Sequence, residues 1–259
     1  MDHHPQQRAT YLYVRWMLAL LPAVLFVVTV ASSAIRQDLP GSISAYYGSP
    51  VRDVFVGVMV AVAVCLVAYQ GDTPLEDYNF NGGGFYAACV ALIPTTYAVG
   101  SVDDVWSLRC SVTVVALLAA VLLAREWATG KLAQLWEQPS RVRWFIGVTF
   151  ATLIAFLAMT LWQLWTPPAE SVTLDGLTGL GIPLRVHDLA AILLICALAV
   201  SVLMAGERVI FGAMVVGPLA AWGLSAAFAP GHFVILLEWW EIVCFCVFWV
   251  RATLGAADD

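Results

Sequence analysis

Residues 232–251 read HFVILLEWWEIVCFCVFWVR, a run in which only His232, Glu238, Glu241 and Arg251 are not apolar. A bilayer core of about 30 Å is crossed by about 20 helical residues, so this stretch has the length of one membrane span. Its two carboxylates do not suit lipid, where each charged group at a helix centre costs about 2.5–3.5 kcal/mol. Three positions apart on a helix, they point about 60° from one another and share a face. That face must look into a bundle, so the segment implies neighbouring helices and a polar site between them. Glu238 and Glu241 are therefore the first candidate functional residues, as a proton, cation or headgroup site.

The rest of the chain has the same character. Of 259 residues, 61% are hydrophobic and 12% charged, with a mean hydropathy of +0.85. Soluble domains carry about 25% charged residues, and the charge here cannot coat a water-exposed body. A net charge of −6 and a pI near 5.1 exclude a basic nucleic-acid surface. The expected fold is all-α, a polytopic transmembrane bundle forming one integral membrane domain over residues 1–259. Eight apolar runs qualify as spans: 16–34, 53–70, 84–100, 107–125, 144–165, 187–205, 209–228 and 232–251. The first exceeds the roughly 7–15 residues of a signal-peptide core and is read as a span.

With the N-terminus inside, the inner side holds Arg8, Arg15, Arg125, Lys131, Arg141, Arg143, Arg208 and Arg251, and the outer side holds Arg36, Arg52, Arg109 and Arg185. Cytoplasmic loops retain basic residues, so both termini are expected in the cytoplasm and the chain in the plasma (inner) membrane as a multi-pass protein. Trp16, Trp106, Trp144, Trp162 and Trp165 fall near span ends, as an aromatic belt requires. The stretch 125–143 mixes four cations with Trp127, Leu132, Leu135 and Trp136 and predicts a short interfacial helix ended by Pro139. Gly82-Gly83-Gly84 reads as a flexible loop, and Pro94 and Gly217-Pro218 as kinks. The six cysteines lie in or beside apolar runs without CxxC spacing and are read as packing residues.

The outer segment 41–53 is dense in small hydroxyls and aromatics. Ser42, Ser44, Tyr46, Tyr47, Arg52 and Asp53 suit a capping or re-entrant loop, with Asp53 at the N-terminus of the second helix. His187, Asp188 and His232 fall on the same side. Two histidines and an aspartate can bind zinc with one position open, but His232 lies about 180° around the helix from Glu241, so one helix cannot supply the ligands. His3 and His4 lie on a tail. No nucleophile triad or nucleotide-binding loop is present, and no cofactor is implied.

Ser42-Ile43-Ser44-Ala45-Tyr46-Tyr47 followed by Arg52-Asp53-Val54-Phe55-Val56-Gly57 resembles the first-loop signature of a bacterial family of six-span membrane proteins of unknown function, itself similar to the eukaryotic DRAM and Frag proteins. Tyr69-Gln70-Gly71, Glu76-Asp77, Ala91 to Thr95, His187 and Glu238 to Trp249 extend the resemblance. It covers about 15–97 and 185–251, leaving a two-span insertion over about 100–183. Gly48-Ser49 departs from the family's usual loop, and Glu241 stands where an apolar residue is usual. The resemblance implies a lipid-associated or membrane-organising protein, non-catalytic or at most weakly lipid-handling, with membrane lipids as partners. The alternatives are an outward-facing metal-dependent lipid hydrolase and a proton-coupled small-molecule transporter.

Overall fold

Thr73-Pro74-Leu75-Glu76 opens the helix around which the others pack. In the computed structural model, which describes residues 5–71, 73–95 and 102–258, the Thr73 hydroxyl accepts from the Glu76 backbone N–H at 3.2 Å. Pro74 takes the first helical position, and Glu76 and Asp77 fill the first turn. The cap satisfies an amide that has no partner within the helix, proline presets φ, and the carboxylates meet the positive end of the helix dipole. This helix, α3, runs Pro74–Leu92, against an expected span of 84–100. It ends before Pro94, which kinks nothing, and positions 96–100 lie outside the described residues, as do His3 and His4.

The other helices are α1 (Pro5–Arg36), α2 (Arg52–Ala68), α4 (Val102–Ala128), the short α5 (Lys131–Gln134), α6 (Ser140–Trp165), α7 (Val186–Met204), α8 (Arg208–Phe228) and α9 (Phe233–Asp258). Short 3-10 turns fill several of the connections, and among the described residues there is no strand. Among the described residues six helices are long and apolar enough to cross a membrane: the segments Arg8–Arg36, Asp104–Ala128, Ser140–Trp165, Val186–Met204, Arg208–Phe228 and Phe233–Gly255. Helix α2 is apolar but has 17 residues, about 25 Å at 1.5 Å per residue.

Gly82, Gly83 and Gly84 are buried inside α3 and do not form a loop. Successive helical residues point about 100° apart, so the three glycines address three neighbours. A Cβ on Gly82 would meet Thr149 of α6, and one on Gly83 would meet Leu194, Ala197 and Leu198 of α7. A Cβ on Gly84 would stand 2.6 Å from Val67 Cγ2 and 2.8 Å from Ala63 O of α2. Small residues at these positions let helix backbones approach where hydrophobic burial supplies little driving force between helices in lipid.

Partners across the bundle fix the chain's sidedness. Arg15 near the start of α1 donates to Ala252 O near the end of α9 at 2.9 Å, so both chain ends share one face, here the terminal face. On the opposite face, the loop face, the Ile235 N–H donates to Gly41 O at 3.2 Å and Arg185 donates to Thr95 O at 3.1 Å. Helix α9 packs on α1 and α8, while α3 packs on α2, α4, α6 and α7. Helix α5 and the turn Leu135–Glu137 lie on the terminal face, where Leu132 and Leu135 pack against Leu75, Tyr78 and Ile146. Trp127 and Trp136 stay exposed there. Pro139 caps α6, and α8 runs through Gly217-Pro218.

Two arginines assigned to solvent by their sequence positions are buried. Arg109 of α4 donates to Leu164 O at 2.7 Å and Pro167 O at 2.8 Å, neutralising the negative end of α6. Its guanidinium lies over the Trp106 and Trp165 rings at 4.9 and 5.2 Å. Arg15 also donates to the Tyr11 and Tyr69 hydroxyls.

Candidate functional site

The segment after α1 turns back into the loop face as a 3-10 turn, Ile43–Gly48, capped by the Ser42 side chain. Each backbone or hydroxyl group that this turn brings inward meets a side chain or carbonyl from a different helix. The Ile43 N–H donates to Glu238 Oε2 of α9 at 2.6 Å. Ser44 is buried, with its Oγ 2.7 Å from His187 Nε2 of α7. Tyr46 donates to Thr29 O at 2.9 Å and shares a 2.6 Å bond with Ser33 Oγ, both on α1. Thr29 in turn accepts from the Trp239 indole at 3.0 Å. Such interhelical polar contacts contribute about 0.6 kcal/mol each on average in membrane bundles, so several are needed to hold the turn.

His187 is fully engaged. Its Nδ1 lies 2.6 Å from Ile93 O, and a carbonyl only accepts, so Nδ1 carries the proton and the neutral Nε2 accepts from Ser44. The histidine thereby ties the end of α3 to the turn. His232 Nδ1 lies 3.2 Å from Pro40 O, anchoring the residues just before the turn. Asp188 stands in the first turn of α7. Both His187 nitrogens are thus engaged, by Ile93 O and Ser44 Oγ. Among the described residues no group of three or more His, Cys, Asp or Glu side chains is arranged to hold a metal.

Tyr47 and Arg52 face outward from this arrangement, with the Arg52 guanidinium 4.7 Å from the centre of the Tyr47 ring. Asp53 is exposed in the first turn of α2. Arg52 and Asp53 lie in the first turn of α2, whose N-cap position is Val51, and Tyr47 lies in the preceding 3-10 turn.

Beneath the turn is a cavity of about 120 Å³ between α1, α2, α3, α7, α8 and α9. Ile43 and Ser44 form its lid, Pro22, Phe55 and Phe245 contribute apolar wall, and Glu238 and Glu241 both open onto it. Glu241 is buried, and its Oε2 has no hydrogen-bond partner among the described residues. Gly217 of α8 makes room for it, since a Cβ there would lie 2.8 Å from Glu241 Oε1 and 2.6 Å from Trp240 Cδ1. Thus one carboxylate holds the lid and the next, one turn deeper, is left to meet whatever enters.

The sequence reading missed Thr29, Ser33, Arg15 and Arg109. The arginines carried a signal: each has an aromatic residue one turn before it, Tyr11 for Arg15 and Trp106 for Arg109, which is the spacing that lets a guanidinium lie on a ring within one helix. Thr29 and Ser33 are polar residues in an apolar run, visible only as interruptions.

The fold and its lipid-facing composition define a polytopic helical membrane protein with a capped cavity. No family model matches the chain, and no curated protein or solved structure shows significant similarity to it.

Proposed function

We propose that the protein is a lipid-associated or membrane-organising component of the plasma (inner) membrane, non-catalytic, with eight spans and both termini cytoplasmic. The observation that carries this reading is the cavity under the Ile43–Gly48 turn, whose walls are mostly apolar and whose few polar groups are Ser44 and Glu238 at the lid and Glu241 one turn deeper. A chain end or headgroup fragment of a lipid fits an apolar pocket with a few convergent polar groups. The resemblance to the bacterial six-span family and its DRAM/Frag-like relatives agrees with it, with about 100–183 as an inserted pair of spans. The basic residues favour the stated orientation: Arg125, Lys131, Arg141 and Arg143 cluster around α5 on the terminal face. Native mass spectrometry of detergent-purified protein tests it. Retained lipid that falls in Glu238→Gln is expected; no retained lipid, with Glu238→Gln unchanged in stability, contradicts it.

A second reading, proton-coupled transport of a small molecule, is favoured by Glu241 Oε2, which has no hydrogen-bond partner among the described residues, because an intramembrane carboxyl group left free in this way suits proton or cation exchange. It requires pH-dependent uptake into proteoliposomes that Glu241→Gln abolishes. Uptake that is absent or unaltered in the variant removes it.

A further inference from the structure

The terminal face holds a second cavity that shares no lining residue with the first. It measures about 270 Å³ and lies between α2, α3, α4 and α6. A neighbouring space of about 250 Å³ reaches under α5 and shares Gln70, Asp77, Tyr78, Glu126 and Lys131 with it. The two form one groove at the terminal face.

Its chemistry is divided. One end is apolar, formed by Leu122, Leu123, Phe150 and Leu153. The other carries both signs of charge: Asp77 and Glu126 as carboxylates, Arg125 and Lys131 as cations. Lys131 is partly used by Glu126, Nζ to Oε1 at 3.5 Å, but half of its side chain remains exposed. Two acceptors on this groove are buried with no hydrogen-bond partner among the described residues, Glu126 Oε2 and Asn81 Oδ1. A buried acceptor left unpaired costs about 1–3 kcal/mol, so the groove calls for a donor.

We propose that this groove binds a phospholipid with a primary-amine headgroup, its ammonium on Glu126, Asp77 and Asn81, its phosphate on Arg125 and Lys131, and its chains along Leu122, Leu123 and Leu153. The donor requirement selects the headgroup. A quaternary ammonium has no N–H to give to Glu126 or Asn81, and a glycerol headgroup has hydroxyls but no cation for the two carboxylates. The apolar end selects a lipid over a free phosphoamine.

The full-length chain in phosphatidylcholine nanodiscs, supplemented at equal mole fraction with phosphatidylethanolamine or phosphatidylglycerol, tests this by native mass spectrometry of the released protein. Phosphatidylethanolamine is expected to be retained about tenfold over the other two, a preference of the size that one charge-assisted hydrogen bond supplies. Glu126→Gln should reduce that preference several-fold. Lys131→Ala, at a half-exposed position, removes a contact to the phosphate that all three lipids share and should lower retention of each several-fold, while Glu238→Gln at the other cavity should leave both retention and preference at this groove intact. Equal retention of phosphatidylcholine or phosphatidylglycerol overturns the headgroup assignment. Aminoethyl phosphate that stabilises the detergent-solubilised protein as well as the lipid does overturns the lipid assignment. Unchanged selectivity in Glu126→Gln together with unchanged lipid retention in Lys131→Ala overturns the site.

Discussion

Helices α3 and α4 are neighbours with opposite logic. Helix α3 is buried nearly throughout, yet it carries Glu76, Asp77, Asn79, Asn81 and three glycines. Helix α4 is strongly apolar, yet Val114, Leu117, Leu118 and Val121 are more than half exposed. In water this would be inverted. In lipid the outer surface must be greasy, while the interior is free to use small and polar residues because tight packing and hydrogen bonds hold helices there. The buried helix of a membrane bundle can therefore be the least hydrophobic one, and reading spans by hydropathy alone shifts it.

The contrast is sharpest at Gly84. Gly84→Leu places a side chain where even a Cβ meets Val67 and the Ala63 carbonyl below 3 Å. A loss of about 3 kcal/mol or more is expected, seen as collapse of the monodisperse peak after mild heating in detergent. A tolerant protein would mean that α2 and α3 are not in close contact. A smaller effect, about 1–2 kcal/mol, is expected for His187→Phe, which leaves Ile93 O and Ser44 Oγ without their partner. Hydrogen exchange over residues 40–48 should accelerate in that variant; unchanged exchange would mean that the turn is held without the histidine. Leu118→Ala on the exposed face of α4 should change stability by no more than about 0.5 kcal/mol. A loss of about 2 kcal/mol there would show that this face is covered by protein rather than lipid.

Much of the architecture was legible. The expected run 209–228 meets α8 at Arg208–Phe228, and 187–205 meets α7 at Val186–Met204, because apolar runs between breakers report lipid-crossing helices directly. The third run was misplaced for a physical reason: the α3 interior is selected for close approach, so its glycines and asparagines look like loop. The capping box Thr73 to Glu76 was the available local signal for its start. At the site, the inward face shared by Glu238 and Glu241 followed from helical spacing, and both open onto one cavity. That Glu238 would bind the Ile43 amide and His187 the Ser44 hydroxyl depends on the path of the 37–51 connection, which periodicity does not encode.

The most direct test is photolabelling of the protein in liposomes with a membrane-dissolved apolar diazirine, followed by peptide mapping. Label is expected on α4 at Val114, Leu117, Leu118 and Val121 and on the exposed faces of α6 and α8, with residues 79–91 of α3 unlabelled. Labelling of 79–91 at the level of α4 would contradict a bundle in which the glycine-rich helix lies at the centre and lipid surrounds it.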